Sequence, residues 1–141
     1  MAAIRPILLA VIVAFGSVRG VRADAPLDWS RYADVRTVQV ITTNEDGSPR
    51  ETTVWLVVVG GRGYLRTGTT RWGANLERNP RARLRIGEEE IPVRIEFVED
   101  EPTRERVTRA FRGKYGLKDR IMSVFRGSHP KIMRLSRRPG D

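Results

Sequence analysis

Hydroxyl and guanidinium side chains that could bind a phosphate group are concentrated in residues 64–80. This stretch predicts the end of a strand, a turn and a short helix that ends at Asn79, before Pro80. The turn supplies five candidate ligands: Arg66, Thr67, Thr69, Thr70 and Arg71. A helix N-terminus has backbone N–H groups without partners and a partial positive charge, so it favours an anion. The turn therefore predicts an anion site, and the alternative is an ordinary strand–turn–helix with Thr70 as the N-cap.

Strands are the main elements that must position this turn. Six segments have strand patterns: residues 35–43, 51–59, 64–67, 82–86, 91–97 and 131–135. After Asp100 the apolar spacing becomes helical, with Val107, Ala110 and Phe111 on one face. Because a flat sheet of six strands would leave open edges, closure into a small barrel is favoured. The predicted fold class is β-rich α+β, a six-stranded antiparallel split β-barrel with flanking helices.

Two features of the sequence predict where individual strands lie in the sheet. Residues 55–59 are apolar without alternation, which is typical of a central strand covered on both faces. Pro92 lacks a backbone donor, so its strand should lie at an edge or be unpaired on that side.

The order of residues from Tyr64 to Pro80 resembles the flavin-binding segment of the pyridoxamine 5′-phosphate oxidase-like split β-barrels. That superfamily includes the reductases that depend on the deazaflavin F420. The resemblance extends more loosely over residues 35–97, with a tail to Leu135. It implies that Thr70 and Arg71 bind a cofactor phosphate, and that Arg66 and Thr67 line the same pocket. The resemblance implies FMN or F420 as the cofactor. Trp72 stands where the family often has a second cation, so one phosphate contact of the family is missing, which weighs against FMN in particular.

Further residues complete the candidate cofactor-binding set. Trp55 and Trp72 have the flat faces that suit a tricyclic ring, although core packing would explain them equally. Thr53 lies on the same predicted strand as Trp55, and the resemblance places Lys114 at a helix end beside the pocket. No catalytic side chain and no metal site are predicted. The chain has one histidine, His129, no cysteine and no acidic cluster at ligand spacing.

The 141-residue chain is long enough for one domain, predicted at residues 24–136 and followed by a polar tail at 137–141. Residues 1–23 combine Arg5, an apolar run and small residues before Asp24, which predicts a Sec-type signal peptide and export. The alternative is an uncleaved segment that tethers the protein to a membrane. Removal of residues 1–23, which hold three arginines and no acid, lowers the formal net charge from +9 to +6. Basic and acidic residues are interleaved, so nucleic-acid binding is not predicted.

Two functional hypotheses follow. The first is a flavin- or deazaflavin-dependent oxidoreductase that acts on a small-molecule substrate, with the cofactor phosphate at residues 66–72. The second is an exported, non-enzymatic split-barrel protein that binds a small anionic ligand. The resemblance also implies a homodimer, for which Trp29 and Tyr32 are candidate interface residues. Stable membrane insertion after signal cleavage is not predicted, because the apolar run is too short.

Overall fold

The computed structural model describes residues 27–120 and 129–139. A 3₁₀ helix at Trp29–Tyr32 precedes the first strand. The strands are β1 Thr37–Thr43, β2 Pro49–Trp55, β3 Val57–Val59, β4 Arg62–Thr67, β5 Arg81–Ile86, β6 Glu89–Phe97 and β7 Lys131–Arg137. The helices are α1 Arg71–Arg78 and α2 Glu101–Tyr115, and residues 117–120 are also helical. The predicted signal peptide at residues 1–23 lies outside the described residues.

The strands form one antiparallel sheet in the order β2-β1-β5-β6-β7-β4-β3, with α1 between β4 and β5 along the chain. The β-rich α+β fold is therefore confirmed, with seven strands in place of the predicted six. The extra strand arises because the predicted strand at 51–59 is interrupted at Leu56. The Leu56 N–H donates to the Tyr115 hydroxyl at 3.1 Å, and the Leu56 carbonyl accepts from Lys114 at 2.8 Å. Side chains of α2 thus replace the ladder partners of Leu56.

This interruption transfers the chain from one edge of the sheet to the other. Before it, β2 pairs with β1, and after it, β3 pairs with β4. The prediction that residues 55–59 form a central strand is therefore wrong. The run is apolar on both faces for another reason: Val57 packs with the α2 cluster, whereas Val58 packs against the main core.

Pro92 lies on an interior strand, because β6 is flanked by β5 and β7. The pairing of β6 with β7 begins one residue after Pro92, at Val93 opposite Arg137. The missing N–H of Pro92 therefore interrupts no backbone hydrogen bond between these two strands. The backbone N–H of Arg138 donates to the Pro92 carbonyl at 2.9 Å. The last strand, β7, ends at Arg137, beyond the predicted end at Leu135.

Trp29 and Tyr32 belong to the core of the chain itself. Their exposed fractions are 2% and 5%, and the Tyr32 hydroxyl donates to Glu89 at 2.6 Å. Gly63 leaves the space for Trp29, since a Cβ at Gly63 would lie 2.9 Å from two atoms of the indole. The prediction that these two aromatic residues form a dimer surface is therefore wrong, because both are already buried within one chain.

The main core lies inside the curled sheet, where inward side chains of successive strands meet. Val40, Leu84 and Val93 are fully buried there, and Leu76 of α1 packs against them. A second cluster forms where α2 covers β3 and β4. Among the described residues, no helix has both the length and the apolar character that crossing a bilayer requires.

Candidate functional site

A cleft of about 210 Å³ opens where β4 ends and α1 begins. Four elements supply its walls: the end of β2, the end of β4 with the turn that follows, the first turn of α1, and α2. The cleft brings together most of the residues predicted to bind a cofactor: Thr53, Trp55, Arg66, Thr67, Thr70 and Trp72. The fold adds Val54, Gly68 and Phe111. Arg71 and Lys114 do not line it.

Thr70 is the N-cap of α1, as the local alternative predicted. Its backbone is extended, and its hydroxyl accepts from the Gly73 N–H at 3.1 Å. The hydroxyls of Thr67 and Thr70 are 2.6 Å apart and share a hydrogen bond. Gly73 leaves room for Thr67 at the start of α1, because a Cβ at residue 73 would lie 2.9 Å from the Thr67 methyl group. The two hydroxyls are therefore fixed at the rim of the cleft.

Arg66 lies at the inner end of the cleft and forms a buried ion pair with Asp119. The exposed fractions of the two side chains are 3% and 2%. The guanidinium also stacks on Phe111, with its central carbon 4.1 Å from the ring centroid. Sequence reasoning missed Asp119, because it lies between Lys118 and Arg120 in a stretch typical of exposed surface. The positive charge predicted for phosphate binding is thus opposed by a neighbouring carboxylate.

Arg71 is exposed and lies on the other side of α1. It borders a second, more polar cleft of about 490 Å³, together with Arg50, Arg78 and Asn75. Asn75 is buried there and donates to Thr42 at 3.0 Å and to Asn44 at 2.9 Å. Asn75 in turn accepts from Arg78 at 2.9 Å. The two arginines predicted to act together, Arg66 and Arg71, therefore line different clefts.

The ammonium group of Lys114 contacts backbone carbonyls near the interruption at Leu56. It donates to the carbonyls of Leu56 and Val35. Burial, and then the nearby Arg36 guanidinium, lower the pKa of Lys114 below its usual value. The structure therefore places Lys114 behind the cleft wall, where it ties the end of α2 to the sheet.

Tyr115 supports the wall of the cleft that Trp55 forms. The two rings stack with centroids 4.3 Å apart and planes within 3° of parallel. The Tyr115 hydroxyl lies 2.6 Å from the carbonyls of both Leu56 and Arg36. Burial raises the pKa of Tyr115, which keeps the hydroxyl protonated as a donor. This second residue was also missed, although it directly follows the predicted Lys114.

The chemistry of the lining fits a flat ring system. Trp55, Trp72 and Phe111 present aromatic surface, and Thr53, Thr67 and Thr70 present hydroxyl groups. This combination suits the fused ring of a flavin or deazaflavin, which has two apolar faces and a polar edge. In residues 27–120 and 129–139 there is no group of three His, Asp or Glu side chains that could hold a metal ion.

Several solved structures have a fold similar to that of this chain, and three of them are described here. HutZ, the heme storage protein from Vibrio cholerae, is 17% identical, with a TM-score of 0.63 over 78% of this chain and 87% of that chain. A putative pyridoxamine 5′-phosphate oxidase from Listeria innocua is 17% identical, with a TM-score of 0.55 over 72% and 83%. An F420-H2 dependent reductase is 16% identical, with a TM-score of 0.58 over 72% and 94%.

At these identities the likeness shows the fold alone, which is a split β-barrel. No curated protein matches the chain. Residues 28–132 match a family described as an uncharacterized protein conserved in bacteria. This stretch covers most of the chain and runs from the residue before the 3₁₀ helix into β7. The chain therefore belongs to the DUF2255 family of bacterial proteins and adopts the split-barrel fold.

Proposed function

We propose that the protein is an oxidoreductase that binds FMN or F420 with the cofactor ring in the cleft between Trp55 and Trp72. The observation that carries this proposal is the convergence of aromatic and hydroxyl groups at the β4–α1 junction of a split barrel. When bound, the cofactor supplies the electron or hydride transfer, and the protein binds and orients it. Such a division of labour requires no side chain that acts as a general acid or base.

Each wall of the cleft has a distinct role in this proposal. The aromatic rings of Trp55 and Trp72 contact the faces of the bound ring and exclude water from it. The hydroxyls of Thr67 and Thr70, held 2.6 Å apart at the rim, orient the polar edge. Tyr115, stacked behind Trp55, fixes the angle of that indole. A small-molecule substrate would contact the part of the ring that the protein leaves uncovered.

We further propose that the active form is a homodimer in which a second copy completes the site. Pockets for small molecules usually enclose about 300–1,000 Å³, and the cleft of one chain encloses about 210 Å³. A two-fold arrangement that places a second chain over the open side would supply the missing wall. Sedimentation of the purified protein is expected to give twice the mass of the chain. The mass of a single chain at micromolar concentration would contradict this arrangement.

The predicted location remains part of the proposal. A Sec-type signal at residues 1–23 would direct the protein out of the cytoplasm, and an uncleaved segment would tether it to the membrane. Export also bears on the alternative function, an exported non-enzymatic protein that binds a small anion. The observation that favours this alternative is the polar cleft of about 490 Å³, where the three arginines Arg50, Arg71 and Arg78 outnumber the two carboxylates Glu45 and Asp46.

An absorbance spectrum of the protein purified from its native host distinguishes the two functions. Oxidised flavin or F420 is expected to give a visible absorbance band, and added cofactor is expected to raise the melting temperature, because a ligand of the folded state stabilises it. Replacement of Trp55 by leucine is expected to weaken cofactor binding by up to about tenfold, as one aromatic stacking partner contributes about 0.5–1.5 kcal/mol.

The matched control is Trp55→Phe, which keeps an aromatic face and should retain most of the affinity. A colourless protein whose melting temperature responds to neither FMN nor F420 would exclude the oxidoreductase. A thermal shift with inorganic phosphate that is lost in Arg71→Ala would then support the anion-binding alternative.

A further inference from the structure

The polar cleft beside α1 has the size of a small-molecule site. It encloses about 490 Å³, and pockets for small molecules usually enclose about 300–1,000 Å³. Residues 44–46 of the turn between β1 and β2, together with Arg50 of β2, supply one wall. The other wall is one face of α1, formed by Arg71, Ala74, Asn75 and Arg78. None of these residues lines the cleft of Trp55 and Trp72, so a ligand in the polar cleft need not compete with a cofactor ring.

A buried amide network holds two of the arginines at the polar cleft. Asn75 is 5% exposed, and its amide donates to the side-chain oxygen of Asn44 at 2.9 Å. That oxygen also accepts from the Nε of Arg50 at 3.0 Å, while the Asn75 oxygen accepts from Arg78 at 2.9 Å. Because the bond to Asn44 uses only the Nε of Arg50, the two Nη groups of Arg50 remain available to a ligand.

The polar cleft also contains positive charge that its own side chains do not pair. Within the part of the chain that the structure describes, neither Arg50 nor Arg71 forms an ion pair. Arg71 lies in the first turn of α1, which contains no acidic residue. The partial positive charge of a helix N-terminus makes a cation unfavourable at this position. An anion bound between Arg50 and Arg71 would compensate both guanidinium groups.

The two carboxylates of the polar cleft differ in how firmly they are held. Asp46 accepts hydrogen bonds from the N–H and the hydroxyl of Ser48 within the turn. Glu45 contacts only one end of Arg78, at 3.5 Å, and its side chain is 87% exposed. An exposed ion pair of this kind contributes little to stability, so a ligand carboxylate or phosphate can replace Glu45.

We propose that the polar cleft is a second ligand site, which binds a small oxyanion with at least two negative charges through Arg50 and Arg71. Glu45 contacts Arg78 in the absence of this ligand and is displaced when the ligand binds. Guanidinium groups suit this ligand class, because their parallel N–H donors bind carboxylate and phosphate oxygens in pairs. The inference extends the anion-binding alternative and does not depend on a cofactor in the cleft of Trp55.

The first test measures the dissociation constants of inorganic phosphate and citrate by calorimetric titration of the protein. We expect at least one of these probes to bind, and the tighter one assigns the site to phosphate or to carboxylate ligands. Arg71→Ala is expected to weaken its binding by about tenfold or more, because a charge-assisted hydrogen bond is lost. The matched control is Arg109→Ala, which removes the same charge from an exposed position on α2. Binding of neither probe, or equal losses in the two variants, would overturn the inference.

The second test concerns the displacement of Glu45. Glu45→Gln removes the competing charge from an exposed side chain, so we expect anion binding to tighten by about two- to fivefold. The control is Glu105→Gln, which makes the same change in charge at an exposed position on α2. An unchanged affinity in Glu45→Gln, or an equal gain in Glu105→Gln, would overturn the proposed displacement.

A third measurement separates this inference from the proposed oxidoreductase function. Trp55→Leu is expected to leave phosphate and citrate binding unchanged, because Trp55 does not line the polar cleft. Anion binding that is lost in Trp55→Leu but kept in Arg71→Ala would place the anion in the other cleft and overturn the inference. Anion binding by a protein that binds neither FMN nor F420 would support the inference and contradict the oxidoreductase alone.

Discussion

Asp119→Ala is expected to lower the free energy of unfolding by about 3–5 kcal/mol, because it removes the carboxylate that is ion-paired with the buried Arg66 guanidinium. The side chains of Arg66 and Asp119 are 3% and 2% exposed, so solvent can do little to replace this carboxylate. A loss of this size is a large share of the total stability of a domain, which is about 5–15 kcal/mol. Urea unfolding followed by circular dichroism measures it directly.

The control for this prediction is the double variant Arg66→Met with Asp119→Leu. Replacement of a buried pair by apolar residues of similar volume is often neutral or stabilising, so the double variant should be more stable than Asp119→Ala alone. Together with the single variants Arg66→Met and Asp119→Leu, the double variant completes a double-mutant cycle that gives the coupling between the two residues. If Asp119→Ala changes stability by less than about 1 kcal/mol, the value of an exposed pair, then the pair is not buried in solution.

Phe111→Ala is the second change with a large expected effect, a loss of about 3–5 kcal/mol from the missing ring and the cavity that it leaves. Phe111 is 1% exposed and lies between the guanidinium of Arg66 and the ring of Tyr115. The same ring lines the cleft, so cofactor affinity should fall together with stability. Thermal unfolding with and without added flavin measures both effects on one sample.

Arg112→Ala is the matched control on the same helix. Arg112 is exposed and follows Phe111 directly, and exposed substitutions usually change stability by less than about 0.5 kcal/mol. A variant Phe111→Leu separates volume from aromatic character, because it keeps apolar bulk but cannot stack on Arg66. If Phe111→Ala unfolds like Arg112→Ala, α2 does not pack on β4 as described, and the cleft lacks the wall that α2 supplies.

Local patterns were sufficient to predict much of the fold. The alternation in residues 82–86 and 91–97 predicted β5 and β6, and the structure pairs them in register from Arg81 opposite Arg94 to Ile86 opposite Glu89. Gly47 lies in the turn between β1 and β2 and has a φ of 85°, a conformation that glycine adopts without strain. These features depend on neighbours within a few residues, so the amino-acid order encodes them directly. The same holds for Thr70, whose N-cap bond joins residues only three apart.

The candidate site was predicted in outline. The family resemblance and the side-chain chemistry indicated five residues that line one cleft in the structure: Trp55, Arg66, Thr67, Thr70 and Trp72. What the sequence could not provide was the partner of each charged group. The position of Arg71 on the far side of α1 follows from the rotation of the helix against the sheet, which a short motif does not specify.

The sequence by itself determined the strand and helix pattern, the turn chemistry and the cluster of aromatic and hydroxyl groups at the end of β4. The tertiary structure alone decided that Arg66 forms an ion pair with Asp119, 53 residues away, and that Lys114 donates a hydrogen bond to the carbonyl of Leu56, 58 residues away. It also decided that Trp29 is buried against Gly63. Periodicity reports whether a side chain faces the interior or the solvent, whereas the identity of its partner depends on how distant segments pack.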